Sequence, residues 1–450
     1  MNLHANGTDL PISDEYLHSR SAAWFAFAMT IGLMVFDYVD RQVIVSMFPH
    51  LKADWGLSDK ELGALVAIVS FVVALGGIPV ALAADRLSRV KSVAVMAAAW
   101  SLATISCMFT GNYSQLLLAR GIVGVGEAGY GSVGAALIAS HFPTRMRGSL
   151  LAAFFASASV GSLLGVMLGG VIASKWGWQS AFGVVGFPGL LLAGLYLFVR
   201  DYKTVKLTPE LEHATHSAGG VARRIVHVLT RSRTMMWICV AAPAQLIVLS
   251  SIWVWLPSFL NRVHGIEPGA AGVKAGLIVL IGAVGSLVSG AMVDRAGLYG
   301  ERARFVAMAA GCVATFVVFT VAFGAPVLGV SLSPQAQFIL IAVGGFLMTC
   351  TVGPVTAVVI DVTHPGVRAT GCSVLSLVQN LLGLALGPFL SGALSDAIGL
   401  GPALAIVPTF SLVAAATLLL AARTYDAERK NTADFAEAQG HFAGAMQRAA

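Results

Sequence analysis

Three charged residues, Asp37, Asp40 and Arg41, interrupt an otherwise apolar stretch near the start of the chain, in Phe36-Asp37-Tyr38-Val39-Asp40-Arg41. A charge at the centre of a membrane span costs at least about 2.5–3.5 kcal/mol on insertion scales, so such residues normally face a partner or a water-filled path. Spacing of i, i+3, i+4 puts all three on one helix face. A second apolar stretch carries Arg120 and Glu127, seven residues or two turns apart, and these also share a face. Asp37 falls just outward of the midpoint of its span and Asp40 and Arg41 about a turn beyond. Glu127 lies near the midpoint of a span running the other way, with Arg120 in its outer half. The two charged faces occupy overlapping depths. If the two helices are neighbours, Asp40 reaches Arg120, and Arg41 reaches Glu127 or Asp37.

The chemistry such a set can do is proton transfer. Burying a carboxylate favours its protonated form, and a nearby guanidinium opposes this. Separating the pair during a conformational cycle therefore changes proton affinity. Glu127 and Asp40 are the first candidates for the proton carrier, with Asp37 beside them and Arg41 and Arg120 as modulating cations. The alternative is an ion-pair lattice that only locks two helices together. Desolvation offsets much of the attraction in such lattices, which makes them weak evidence of a purely stabilising role.

The rest of the sequence must supply the helices that hold these residues. The chain has 450 residues, is 57% hydrophobic and only 11% charged, against about 25% charged in soluble domains. Twelve apolar stretches of about 20 residues, long enough to cross a bilayer, fall near 22–46, 60–84, 91–111, 115–139, 149–173, 181–199, 235–260, 270–293, 303–325, 335–360, 370–394 and 402–422. A polar segment precedes the first, and no cleavage site follows it, so it is not read as a signal peptide. With the N-terminus taken as cytoplasmic, 21 of the 28 Lys and Arg fall on that side, five fall outside and two, Arg41 and Arg120, lie in spans. This is a strong positive-inside asymmetry with both termini cytoplasmic. It accounts for the net charge of +6 and leaves no case for a nucleic-acid partner.

Internal repetition divides the chain in two. Asp85-Arg86 follows the second span and Asp294-Arg295 the eighth; Arg145-Met-Arg147-Gly148 precedes the fifth and Arg368-Ala-Thr-Gly371 the eleventh. Gly161-x3-Gly165-Val166-x2-Gly169-Gly170 recurs as Gly383-x3-Gly387-Pro388-x2-Ser391-Gly392, at a constant offset of 222 residues. The expected organisation is a first six-helix bundle over 1–199, a basic cytoplasmic linker over 200–234, a second bundle over 235–422 and a polar cytoplasmic tail over 423–450.

Two six-helix halves, twelve spans and a basic central loop resemble the major facilitator superfamily over nearly the whole chain. Its loop signature is kept as Gly290-x3-Asp294-Arg295-x-Gly297 and, with both glycines replaced, as Ala81-x3-Asp85-Arg86-x-Ser88-Arg89. The resemblance implies an all-α membrane fold and a gating role for Asp85, Arg86, Arg89, Arg145, Asp294, Arg295 and Arg368. Tyr38-x-Asp40-Arg41, Gly126-Glu127-Ala-x-Tyr130 and Asn380-x2-Gly383-x3-Gly387-Pro388 are similar to the Spinster-like branch. That branch implies carriage of lysophospholipids or sphingoid lipids, with proton coupling in some members. The anion–cation symporter branch shares an Asp-Arg in the first span and Gly-Glu-Ala in the fourth, which keeps a proton-linked symporter of aromatic or sugar acids open. The proline of the drug-antiporter signature is replaced by Val166, which weakens that reading.

In the second half, Gln245, Thr349, Thr351, Gln379 and Asn380 are, with Tyr38 and Tyr130 from the first half, the candidates for the substrate cavity. Trp253 and Trp255 are expected in the outer aromatic belt. A half that is apolar with scattered hydroxyls and amides suits an amphiphile. The Gly124-x-Gly126-x-x-Gly129 match to a dinucleotide fingerprint lies within a span and lacks the required strand, so the glycines are read as sites of close helix approach. The five cysteines are scattered singly and no metal spacing exists. The expectation is a monomeric inner-membrane carrier whose partners are an amphiphilic or lysolipid substrate, protons and membrane lipids, with no cofactor, no metal and no enzymatic activity.

Overall fold

The computed structural model describes residues 16–86, 88–201, 232–363 and 368–449; most of the expected linker over 200–234 lies outside the described residues. Those residues are helical apart from short connections. The first half runs α1 (Arg20–Val43), α2 (Asp59–Arg86), α3 (Arg89–Cys107), α4 in two pieces (Tyr113–Glu127 and Tyr130–His141), α5 (Thr144–Trp176) and α6 (Trp178–Tyr196). The second runs α7 (Arg233–His264), α8 (Pro268–Gly297), α9 (Glu301–Phe319), α10 in two pieces (Pro334–Leu347 and Pro354–Val362), α11 (Arg368–Val378, a wider π-helical stretch Gln379–Ala385, then Leu386–Ile398) and α12 (Leu400–Ile406, then Thr409–Ala449).

Helix ends fall where polar side chains take up the orphan N–H groups. Ser19, Ser88, Asn112, Ser232 and Ser333 each accept from a backbone N–H three residues on, as N-caps do. Before α2, Ser58 and Glu61 satisfy one another's backbone N–H groups in a capping box.

Eleven helices among the described residues are long and apolar enough to cross a membrane. The tenth stretch, expected as one span over 335–360, instead breaks at Met348–Gly353. Pro354 has no N–H to give to a continuing helix, so a new helix starts with proline in its first turn. The fourth stretch breaks likewise at Ala128–Gly129, where Gly129 adopts φ +84°, a conformation open mainly to glycine. The two breaks are related by the 222-residue repeat: Glu127, at the first, corresponds in position to Thr349 at the second. Interrupted membrane helices at matching places in two repeated halves point to a binding site at the interface between the repeats.

The repeated glycines act alike in both halves. Gly161, Gly165 and Gly169 of α5 lie against backbone carbonyls of Val35, Val39 and Val43 of α1, and Gly387 of α11 lies against Ile247 of α7. A side chain at any of them would force the helices apart, and close approach of this kind is what small residues give in membranes. Between the halves, α5 packs on α8 and α2 on α11.

Candidate functional site

The five charged residues singled out in the sequence meet in the first half. Arg41 Nε lies 2.8 Å from Glu127 Oε2 and 3.5 Å from Asp37 Oδ1. Arg120 Nη1 stands 3.7 Å from Asp40 Oδ1 and donates to the Asp40 carbonyl at 3.1 Å. Its other nitrogens reach the carbonyls of Arg41 and Leu65, both at 3.4 Å. Asp37, Asp40, Arg120 and Glu127 are all buried, and Arg120 is fully enclosed. Both pairings expected from depth and face are therefore present.

Three features hold this set in place. Gly126 lets α4 approach α3 so closely that a Cβ there would stand 2.6 Å from the Trp100 backbone nitrogen. Tyr130, behind Glu127, donates to the Thr30 carbonyl at 2.6 Å and packs edge-on to Trp100. Thr104 of α3 donates its hydroxyl to Asp40 Oδ2; nothing in its sequence neighbourhood marked it. Thr104→Val keeps the shape and removes this donor, leaving a buried carboxylate oxygen bare. It is expected to lower stability by about 1–3 kcal/mol, read as a fall in melting temperature of the purified protein in detergent.

Between the halves lies a cavity of about 270 Å³. The first-half side carries both charged residues, Arg41 and Arg120, with Tyr38, Gln42, Ser70 and Ser162; the second-half side is uncharged and mainly apolar, with Leu246, Leu249, Val254, Val352, Leu384 and Pro388 beside Ser250, Ser286 and Thr349. Arg41 thus faces two ways, toward Asp37 and Glu127 behind it and toward the cavity in front, with Tyr38 under its guanidinium at 5.3 Å. Of the residues expected at the cavity, Tyr38 and Thr349 border it. Tyr130 is fully enclosed, Gln245 is buried and donates to the Met348 carbonyl at 3.0 Å, steadying the α10 break, and Thr351 is buried beside it. Gln379 and Asn380 are partly exposed, and Asn380 bonds back to Ser376 on its own helix.

Trp253 and Trp255 depart from the expected aromatic belt. Trp253 borders the cavity. Trp255 is fully buried, donating to the Pro388 carbonyl at 3.0 Å and packing on Phe48 of the first half at 5.2 Å. Two residues apart, they leave α7 in different directions, Trp253 to the cavity and Trp255 to the packing against Pro388 and Phe48, whereas hydropathy alone puts tryptophans near a span's end at the interface.

Of the expected gating residues, Asp85, Arg86 and Arg368 have side chains outside the described residues, while Arg145 and Arg295 are exposed. Arg89 opens α3 behind its Ser88 cap. Asp294 pairs at 3.5 Å with Arg304, which also reaches Glu301 at 3.4 Å and Asp361 at 3.5 Å. Sequence reasoning counted Arg304 only as topological charge, though it gathers α8, α9 and α10 at one end.

A second cluster was missed entirely. At the opposite end of the molecule, Asp59 at the start of α2 accepts from both terminal nitrogens of Arg262 of α7 (2.6 and 2.8 Å), from Lys52 (2.7 Å) and from Ser395 of α11 (2.5 Å). Asp396 returns the contact, accepting from the backbone N–H groups of Asp59 and Lys60, both at 2.8 Å. These residues lie at the edges of apolar stretches, where charges are ordinary, and only the fold brings together Asp59 and Arg262, 203 positions apart.

Residues 30–384 match the model of the Major Facilitator Superfamily. This chain belongs to that superfamily. Its fold is the superfamily's two pseudo-symmetric six-helix bundles, and a solved bacterial homolog of the human lysosomal transporter Spinster, in an inward-facing conformation, superimposes with a TM-score of 0.80 at 22% identity, covering 92% of this chain and 99% of that one. Among curated proteins it is similar to a probable L-galactonate transporter of Escherichia coli (26% identity, 70% of this chain and 73% of that protein). It is also similar to the sphingosine-1-phosphate transporter of Mus musculus (26% identity, 81% and 68%). The Spinster-like resemblance read from the motifs in α1, α4 and α11 agrees with these likenesses.

Proposed function

We propose that this protein is a proton-coupled secondary transporter of lysophospholipids or related single-chain amphiphiles. It works as a monomer by alternating access in the bacterial inner membrane, with both termini cytoplasmic and the Asp59 end outward. The carrying observation is that Arg41 is shared between two buried carboxylates and the cavity.

Fully ionised, Asp37, Asp40 and Glu127 against Arg41 and Arg120 leave one uncompensated negative charge away from water, an expensive state. One bound proton balances it. Protonating the carboxylate set also loosens its hold on the Arg41 guanidinium, which is then free to take an anionic headgroup in the cavity. Proton and substrate then favour each other's binding, and by linkage the effect is reciprocal. The uncharged, mainly apolar second-half side of the cavity suits the acyl chain. The Asp59 cluster holds the outer end shut in the state described, and the asymmetry of basic residues supports a cytoplasmic position for the other end.

A second reading, a proton-linked sugar-acid or aromatic-acid symporter, uses the same guanidinium for a carboxylate and is favoured by the modest cavity volume and the likeness to a galactonate carrier. Reconstitution in liposomes with an imposed proton gradient separates the two. Uptake of lysophosphatidylglycerol without uptake of hexuronate or benzoate is the expected result, and the converse would sink the lipid reading. Charge reversal in Arg120→Glu is expected to alter coupling more than substrate affinity; complete loss of anion binding would instead favour the acid symporter.

A further inference from the structure

Two polar groups on the cavity are used by neither the ion-pair set nor the packing. Trp253 borders the cavity from α7, and its indole Nε1 is buried with no acceptor in the protein. Gln42, the residue after Arg41, borders it from the other half, and its amide Oε1 is buried with no donor in the protein. A buried polar group left without a partner costs about 1–3 kcal/mol, and folded proteins rarely keep one without a reason. Both side chains are seated on glycines of neighbouring helices. A Cβ on Gly165 of α5 would come within 3.0 Å of the Gln42 Cβ, and one on Gly282 of α8 within 3.5 Å of the Trp253 ring.

We infer that Gln42 and Trp253 read the substrate's headgroup, and that the site takes an anion carrying a free hydroxyl close to its charge. The inference rests on the lysolipid reading above and narrows it. Arg41 takes the negative charge. The Trp253 N–H donates to a second headgroup oxygen. Gln42 pairs with the hydroxyl, which can serve either end of an amide because it both donates and accepts. In a lysophospholipid this is the glycerol hydroxyl that a second acyl chain would occupy. A site with this requirement ignores the diacyl lipids that surround it, because their esterified oxygen cannot donate and the Gln42 oxygen would stay bare. Hydrogen-bonding sites reject analogues lacking the expected hydroxyl far more strongly than apolar pockets reject one methylene. One group comes from each half, so the same headgroup bridges the two bundles.

The test is binding of 1-oleoyl lysophosphatidate and of its deoxy analogue, which lacks the glycerol hydroxyl, to the full-length protein in nanodiscs, followed by thermal shift, and competition of the same two probes for uptake into proteoliposomes. Wild type should prefer the hydroxylated probe by about ten-fold or more. Gln42→Leu should bring that ratio toward one. Trp253→Phe, which keeps the ring and loses the N–H, should weaken both probes alike while leaving the ratio in place. Equal affinity of wild type for the two probes overturns the inference and leaves the lysolipid reading standing, as does a folded Gln42→Leu variant that keeps the preference. Wild-type protein that binds neither probe but binds a hexuronate overturns both.

Discussion

Replacing Glu127 with glutamine is expected to abolish proton-driven uptake while leaving a folded protein that still exchanges substrate across the membrane. The exchange has the same volume, and charge balance explains why folding survives. Without Glu127, Asp37 and Asp40 face Arg41 and Arg120, two against two, so no uncompensated charge remains. Arg41 keeps its contact with Asp37 at 3.5 Å. A purely structural role predicts something else, because breaking a buried pair by removing one partner ordinarily costs about 3–5 kcal/mol. The measurement is uptake into proteoliposomes at a series of external pH values, alongside counterflow with no gradient and a melting curve. Wild type should gain rate as the outside is acidified. Glu127→Gln should show counterflow, a flat pH profile and a melting temperature close to wild type. A retained pH profile would remove Glu127 as the proton carrier, and a fall in melting temperature of many degrees would assign the network to stability.

The charged set was legible in the sequence because the membrane makes it so. A charge in a span is conspicuous, helix rise gives its depth, and the i, i+3, i+4 rule gives its face. With the two helices taken as neighbours, as the family resemblance implied, those three facts set Asp40 against Arg120 and Arg41 against Glu127 or Asp37. The same reasoning missed Thr104, since a threonine in a span is unremarkable until its neighbour is known. It missed the breaks in α4 and α10 because hydropathy is continuous across Ala128–Gly129 and Met348–Gly353, although Gly129 and Pro354 were there to be read. It misassigned Trp253 and Trp255, since an aromatic near the end of a long helix looks like a belt residue unless the inward face of that helix is known. Asp59, Arg262 and Asp396 were invisible for the opposite reason: at the membrane surface charge is cheap, and only tertiary structure distinguishes an anchor from a latch.

That latch makes the second large prediction. Asp59 is the one side chain among those described that accepts hydrogen bonds from Arg262 and Ser395 of the second half and from Lys52 of the first. Asp59→Asn removes the charge, keeps the backbone N–H that Asp396 caps, and converts two bonds between opposite charges into at most one from the Arg262 cation to a neutral amide oxygen. Bonds to charged groups contribute about 1.5–3 kcal/mol each, and a loss of about 2 kcal/mol displaces a two-state equilibrium about thirty-fold. The contacts with Arg262 and Ser395 do not survive in a state open at this end, where α2 must leave α7 and α11, so their loss falls on the closed state alone and the population moves toward the outward-open form. A single cysteine introduced at Ala275, buried on α8 between Gly272 and Gly276, which lie against α5, reports the shift as faster labelling by a membrane-impermeant maleimide from outside, in a background with the five native cysteines replaced. Labelling should rise by about an order of magnitude or more in Asp59→Asn and return toward wild type in the charge-swapped pair Asp59→Arg with Arg262→Asp. Unchanged labelling would mean that the apolar seam of α5 with α8, not the ion pair, holds the outer end closed. The swap matters because it separates attraction across the gate from the mere presence of a carboxylate on α2: only a bond between the halves is restored by exchanging its ends.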